Sequence, residues 1–512
     1  MLSLRVRWRR EGNALARLRL AANGLTPLFL VFALVALFFF QLGARDLVSS
    51  HEARAAQNAQ RMLDTGDWGL PTLFDEQRDL QKPPGFYWLV AAVGCLNGGH
   101  VSPWVTRFPA AASAIAAVLL LYGFLRREGY ATGALVAAVA LATGNHFVAI
   151  GRTARIDVPL TCAVAVALLA FYRGCCAGDR RSAHGWFLLS ALAAGVAVIL
   201  KGPVALALVG STAVAFMIVE RFASPASERP RLRLLSAVFG VVVVALVALP
   251  WFVWAQHATN GEFVRVFFWH HNVERFAGTS ETLASHPWWY YGPRFTLAFM
   301  PWTLLFVPLA VWGMCSGLWK ESRPFRFGVV WLMVMLLLLS AARFKRADYL
   351  LPAFPGAALA LGCAAELWLT SRANPRSVTH AKWAFGFLTA GSLAVWPVMW
   401  FAVEPAEASR QEKKPFASAI REDAPKPQTV LLFRTESHLL AYHLGSPLHT
   451  LVEWGELKEV LAANGPHVVV MPPEYVDDAE RITGRKLMPV ASLADFTSVR
   501  PPRPLVCLRT AD

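Results

Sequence analysis

Eleven apolar runs of roughly bilayer-crossing length divide most of this chain, and no other feature constrains its fold as much. A helix needs about 20 mostly apolar residues to cross a hydrocarbon core, and lipid offers no partner to an unpaired backbone group. The runs lie near 27–43, 104–125, 131–150, 157–172, 186–200, 202–219, 234–255, 294–316, 327–342, 349–369 and 383–402. One helix through each run makes an α-helical polytopic membrane protein. Composition agrees, since 55% of residues are hydrophobic and only 16% charged. The first run lacks a small-residue cleavage site, so it reads as a retained span and not as a signal peptide.

A net charge of +15 would suit nucleic acid, but no nucleic-acid motif accompanies it. Much of the excess sits in short loops between runs, where Lys and Arg set topology. Arg126 and Arg127, then Arg173, Arg180 and Arg181, then Arg221, Arg229, Arg231 and Arg233, then Lys320, Arg323 and Arg326, all fall on one side. The N-terminus must then be cytoplasmic, and the short apolar segment 85–97 must lie along the interface without crossing. Three parts follow: a basic cytoplasmic N-terminus at 1–26, a membrane domain at 27–402 with a long first outer loop at 44–103, and an extracytoplasmic domain at 403–512. In the tail, β-like runs at 429–433, 467–471 and 505–508 alternate with helix-like runs at 436–444, 454–464 and 474–482. That alternation predicts a small α/β domain. The seven cysteines show neither zinc nor disulfide spacing.

The outer segments hold the residues fit for chemistry. Ser49 with Glu52 three residues on forms a capping box, so a helix starts there and stops near Gly66. His51 sits at its first turn. Lys82 precedes two prolines, which restrict its backbone at the membrane surface, where it can meet an anionic head group. Asp157 stands at the outer mouth of a span, after Arg155, and ionisable groups at that depth are functional candidates. The third outer segment carries His271, Asn272 and Arg275, then Trp289, Tyr290 and Tyr291, aromatic side chains suited to an interface or to stacking on a sugar. The fourth carries Lys345 and Arg346 on the face that should be poor in positive charge, which points to an anionic ligand such as a lipid phosphate. His270 and His271 are adjacent and lack metal-ligand spacing, so no residue is assigned to a metal.

Taken in order, these motifs resemble the GT-C glycosyltransferases that use polyprenyl-phosphate sugars, in particular the bacterial aminoarabinose (lipid A) transferase family, related to protein O-mannosyltransferases. The matching stretches are His51-Glu52-Ala53-Arg54, Gly66-Asp67-Trp68, Lys82-Pro83-Pro84, Arg155-Ile156-Asp157-Val158-Pro159 and Lys201-Gly202-Pro203. Further on they are His271-Asn272-Val273-Glu274-Arg275-Phe276, Pro287-Trp288-Trp289-Tyr290-Tyr291 and Tyr349-Leu350-Leu351-Pro352. The resemblance covers roughly residues 27–370 and implies a GT-C fold of about 11–13 transmembrane helices in the inner membrane. Two positions depart from the family. His51 stands where its first-loop aspartate is held essential. Gln81 stands where the aminoarabinose enzymes commonly carry an acid linked to a metal, leaving a divalent metal only an alternative.

The resemblance implies an inverting transfer of a hexosyl or pentosyl group from a polyprenyl-phosphate donor to a lipid, glycan or protein acceptor on the outer side. Asp157, with His51 and Glu52 assisting, is expected to activate the acceptor. Lys82, Arg54, Arg155, Arg275, Lys345 and Arg346 are expected to hold the donor phosphate. His271, Asn272, Trp289, Tyr290 and Tyr291 are expected to face the sugar or acceptor. Two other classes remain to be separated from this one. A lipid-linked-sugar flippase would carry inverted repeats and broken mid-membrane helices, and an inactive glycolipid-binding relative would explain His51.

Overall fold

The computed structural model describes residues 26–227, 229–230, 234–278, 285–371, 375–408, 413–463, 465–494 and 503–511. Most of the basic N-terminus lies outside them, as do Arg231 and Arg233. Among the described residues, eight helices are long and apolar enough to cross a membrane, and two further spans are pairs of helices bent at a short break. A shorter apolar helix, α1 (Thr26–Phe39), precedes them. These eleven elements fall on the eleven apolar runs.

The first outer loop folds as two helices. α2 (Ser50–Thr65) starts where Ser49 accepts from the Glu52 N–H at 3.3 Å and ends at Gly66 in the left-handed region. α3 (Gly85–Leu96) has 12 residues, too few to span a bilayer core. It packs against α2, α4 (Pro103–Arg127) and α8 (Arg180–Lys201).

Both bent spans break at the same place in the fold. α5 (Ala131–Thr143) turns by 61° at Gly144 into α6 (Asn145–Gly151). The pair Trp288–Ala298 and Thr303–Cys315 turns by 112°. The two breaks pair with each other: the Asn145 N–H donates to the Met300 carbonyl at 3.0 Å, and Trp302 Nε1 donates to the buried Thr143 hydroxyl at 2.9 Å. Polar groups freed by a break inside a membrane protein must be satisfied locally, and here they are. Broken helices, which the sequence reading gave to a transporter, are therefore present.

α7 (Asp157–Cys176), α8, α9 (Val204–Ala223) and α10 (Leu234–Ala258) follow in the membrane domain. Beyond it, the tail forms a five-stranded sheet in the order β2-β1-β3-β5-β4. β1 (Val430–Phe433), β2 (Leu448–Leu451) and β3 (Val468–Met471) run parallel, and β5 (Leu505–Thr510) is antiparallel to β3 and β4 (Leu487–Leu493). β1 and β3 are buried along their whole length, as unbroken apolar runs in a two-sided sheet should be. The sheet domain sits on the first outer loop. Gln57 donates to the His438 carbonyl at 2.9 Å, Tyr442 to the Val101 carbonyl at 3.1 Å, and Thr450 to Asp75 at 2.6 Å. Phe74 of the loop is buried in the domain's core.

Candidate active site

Five chain segments meet at one cavity of about 160 Å³: the start of α2, the Lys-Pro-Pro turn before α3, the link between α6 and α7, the end of α8, and the segment 344–349. His51, Arg54, Gln81, Lys82, Arg155, Asp157, Lys201, Arg346, Asp348 and Tyr349 contribute to its wall. The convergence has local causes. Gly85 packs against the end of α8 so closely that a Cβ there would lie 2.6 Å from the Ile199 carbonyl oxygen. This brings Lys82 beside Lys201. Gly202 then turns the chain at φ 85°, ψ −158°, a conformation open essentially to glycine.

Asp157 is buried in the first turn of α7 and pairs with Lys201, whose ammonium also lies 4.2 Å above the Tyr349 ring. Arg155 pairs with Asp348, which Arg346 approaches at 3.6 Å and His146 Nε2 at 3.2 Å. Lys82 is half-buried, with neither a hydrogen bond nor an ion pair to the described residues. Burial pushes its ammonium down to about 8, although Asp157 pulls the other way. Burial also pushes the His51 imidazole down, to about 2, with the Lys82, Arg155 and Arg346 cations adding to it. His51 is thus held neutral. Arg54 is fixed in place by Asp79, and its Nη1 donates to the Gln81 side chain at 2.8 Å. Burial alone would raise the Asp79 carboxyl, but Arg54 overrides it and holds the group below its ordinary range.

Three expectations are corrected. Glu52, expected to assist catalysis, does not reach the cavity. Its carboxylate is fully buried and taken up by Arg107 Nε at 2.8 Å and by the N–H groups of Ala154 and Val48, each at 3.0 Å. It ties the start of α2 to α4 and to the α6–α7 link. Lys345, expected to bind phosphate, is 3% exposed and donates to the Ala342 and His286 carbonyls. The aromatic side chains expected to face the sugar do not line the cavity wall, although Tyr291 lies directly behind it, against the Arg346 backbone. Tyr291 is buried in the membrane core, Trp289 is 56% exposed, and Tyr290 stacks on His286 with centroids 4.6 Å apart. Asn272 donates to the Phe267 carbonyl at 2.7 Å inside a π-helix, Val264–Glu274, and His271 faces a second cavity. The Arg275 side chain lies outside the described residues.

Four residues of the site had no assigned role. Lys201 and Tyr349 lay inside stretches already singled out by the resemblance. Asp79 and Asp348 become visible only through the arginines they neutralise. The metal alternative does not fit these residues. Gln81, where the family's acid would stand, accepts from Arg54, so a divalent cation there would face a guanidinium. Among the described residues no group of three His, Cys, Asp or Glu could hold a metal ion.

Fold and site together define the class: a GT-C-type polytopic membrane fold with a cationic cavity beside its first outer loop. The family described as dolichyl-phosphate-mannose-protein mannosyltransferase matches residues 81–254. The chain is 32% identical over 342 residues to the undecaprenyl phosphate-α-4-amino-4-deoxy-L-arabinose arabinosyl transferase of Pseudomonas aeruginosa (strain UCBPP-PA14), a match covering 65% of this chain. It is 30% identical over 349 residues to arabinosyl transferase 1 of Pseudomonas fluorescens (strain Pf0-1), a match covering 67% of this chain. In both cases it spans 58% of the relative's length. Its structure is similar to that of ArnT from Cupriavidus metallidurans bound to undecaprenyl phosphate. The TM-score is 0.74 at 20% identity, over 94% of this chain and 97% of that one.

Proposed function

We propose that this protein is a membrane glycosyltransferase. It moves a sugar from a polyprenyl-phosphate donor to a lipid, glycan or protein acceptor on the outer side of the cytoplasmic membrane. One observation carries the reading: Lys82, an unpaired half-buried ammonium, shares a cavity with Arg155, Lys201, Arg346 and the Asp157 carboxylate. As the sugar leaves, the carrier phosphate gains negative charge, and cations fixed beside it lower the barrier. Lys82 and Arg346 hold that phosphate. Asp157, oriented by Lys201, accepts the proton of the acceptor hydroxyl. The acceptor oxygen attacks the anomeric carbon opposite the phosphate. The carbon–oxygen bond to phosphate breaks, its electron pair stays on the phosphate, and the configuration inverts. His51 takes part as a neutral imidazole that can present an N–H to the phosphate.

The relatives' names point to a pentosyl donor, undecaprenyl-phosphate-linked aminoarabinose, and the resemblance points to a lipid A acceptor. The test incubates purified protein with that donor and lipid A and weighs the product by mass spectrometry. A gain of one aminoarabinose is expected. Other polyprenyl-phosphate sugars with glycan or peptide acceptors form the second panel. Binding of undecaprenyl phosphate without transfer in either panel would make the protein a glycolipid binder and remove the enzyme reading.

A further inference from the structure

The first outer loop, the segment 262–271 and the sheet domain enclose a second cavity of about 210 Å³, which the reaction above leaves unused. It adjoins the first, because Arg54 and Gln81 line both. Its charge is of opposite sign. In the first cavity three arginines and two lysines face Asp157 and Asp348. In the second, Arg54 and Arg78 stand with four carboxylates, of which Asp79 is paired with Arg54 and Glu436 with His438, leaving Asp75 and Glu262 against Arg78.

The rest of the wall is rich in neutral hydrogen-bonding groups, and part of it is fixed in advance. Gln57 accepts from the Phe74 N–H at 3.3 Å and donates to the His438 carbonyl at 2.9 Å, spanning loop and domain. Thr435 of the sheet domain also lines the cavity. It is 4% exposed, and its hydroxyl has no hydrogen-bond partner among the described residues. Buried hydroxyls are almost always paired, so an unpaired one facing a cavity marks a place for a polar ligand atom.

We propose that this second cavity binds one sugar ring that carries no phosphate, neutral or amine-bearing, with the sheet domain as its roof. A phosphorylated ring would set its anion against a wall whose unpaired charge is acidic, whereas ring hydroxyls and an ammonium complement it. The small volume suits a single ring. The inference rests on the glycosyltransferase reading, under which the ring belongs either to the donor or to the acceptor.

The test is saturation-transfer NMR on the full-length protein in detergent, with undecaprenyl phosphate present to occupy the first cavity. Its own binding is measured first, so failure of the donor-site reading shows separately from failure of this one. Glucose and glucosamine are expected to give signals, glucosamine the stronger, and glucose 6-phosphate at least about tenfold weaker. The double variant Glu262→Gln, Glu436→Gln should remove the advantage of glucosamine over glucose. Thr435→Trp should abolish all sugar signals. Should it fail to fold, Gln77→Trp on the exposed rim fills the same space. Glucose 6-phosphate binding as well as glucosamine, or sugar signals unchanged in a folded filling variant, would overturn the proposal. Replacing undecaprenyl phosphate with undecaprenyl-phosphate-linked glucose then names the source. Loss of the free-sugar signal assigns the cavity to the donor's ring, and its survival to the acceptor's; both agree with the proposal.

Discussion

A half-buried ammonium without a partner is unfavourable until an anion arrives, and among the described residues Lys82 has no partner. Its folded-state value, about 8, lies below the ordinary 10.5. Between the two values the unfolded chain holds the proton more strongly, so this group's contribution to stability rises with pH through that window. Below about 8 it is a constant penalty. Lys82→Met should therefore raise the melting temperature at pH 7 while weakening undecaprenyl phosphate binding about 30-fold or more. In the wild type that affinity should fall as pH rises past about 8, and Lys82→Arg should remove the fall, since a guanidinium stays charged. Titration calorimetry across pH 6–10 reads both, and a pH-independent wild type would take Lys82 out of the phosphate site. His51 behaves differently. An ordinary histidine base would lose rate as pH drops through roughly 6–7, but His51 stays neutral down to about 2. No loss of rate from this group is expected in that range, and His51→Asp should leave the pH profile above 6 unchanged. Lys82, Asp157, Arg155 and Arg346 were legible in the sequence because charge at a membrane edge demands a reason. Glu52 and Lys345 misled for a shared cause: each finds its partner through the fold. Arg107 lies 55 residues after Glu52, and one of the two carbonyls that hold Lys345, that of His286, lies 59 residues before it.

Two glycines place the site's elements, and steric contact gives each a testable weight. A side chain at Gly202 would need a glycine-only backbone conformation and would put its Cβ 2.4 Å from the Phe267 ring. Gly202→Ala should cost about 1–3 kcal/mol and displace Lys201 from Asp157. Gly85→Ala should push the Lys-Pro-Pro turn off α8, lowering undecaprenyl phosphate affinity more than stability. Gly210→Ala in α9 meets nothing within 4 Å and serves as the control. Melting curves and lipid-binding isotherms on the three variants decide; a Gly202→Ala protein equal to the Gly210→Ala protein would refute the packing argument. At this scale the spans were legible from apolar length alone. The breaks at Gly144 and near Met300 were not, because each is stabilised by the other across 155 residues. β2 and β4 were missed because neither reads as a strand: β2 is buried only at its ends, and β4 carries Pro489 in its middle. β1 and β3 announced themselves as short unbroken apolar runs.

At the level of the whole molecule, the contacts between the sheet domain and the first outer loop fix a relation that charge counting alone could not. Gln57 with His438, Val101 with Tyr442 and Asp75 with Thr450 require the two parts to share one side of the membrane. The opposite end is tied by a buried cluster in which Glu220 accepts from Arg326 at 2.6 Å and from Arg323 at 3.0 Å. Arg126, Arg127, Arg180 and Arg181 stand at helix ends on that same side if α4 and α8 each cross once. By the positive-inside rule this face is expected to be cytoplasmic, which predicts that the sheet domain, both cavities and Asp157 face outward. Reporter fusions after Arg127 and Arg181 should read as cytoplasmic. Insertions at Asp75 and a fusion to the sheet domain should read as extracytoplasmic. The fold supplies an internal check, because the Asp75 and sheet-domain reporters must agree whatever the absolute orientation. Disagreement between them would break the docked arrangement and the second cavity with it. Agreement on the cytoplasmic side would leave the site intact but move the proposed transfer to the inner leaflet, where the donor would be used before it crosses the membrane.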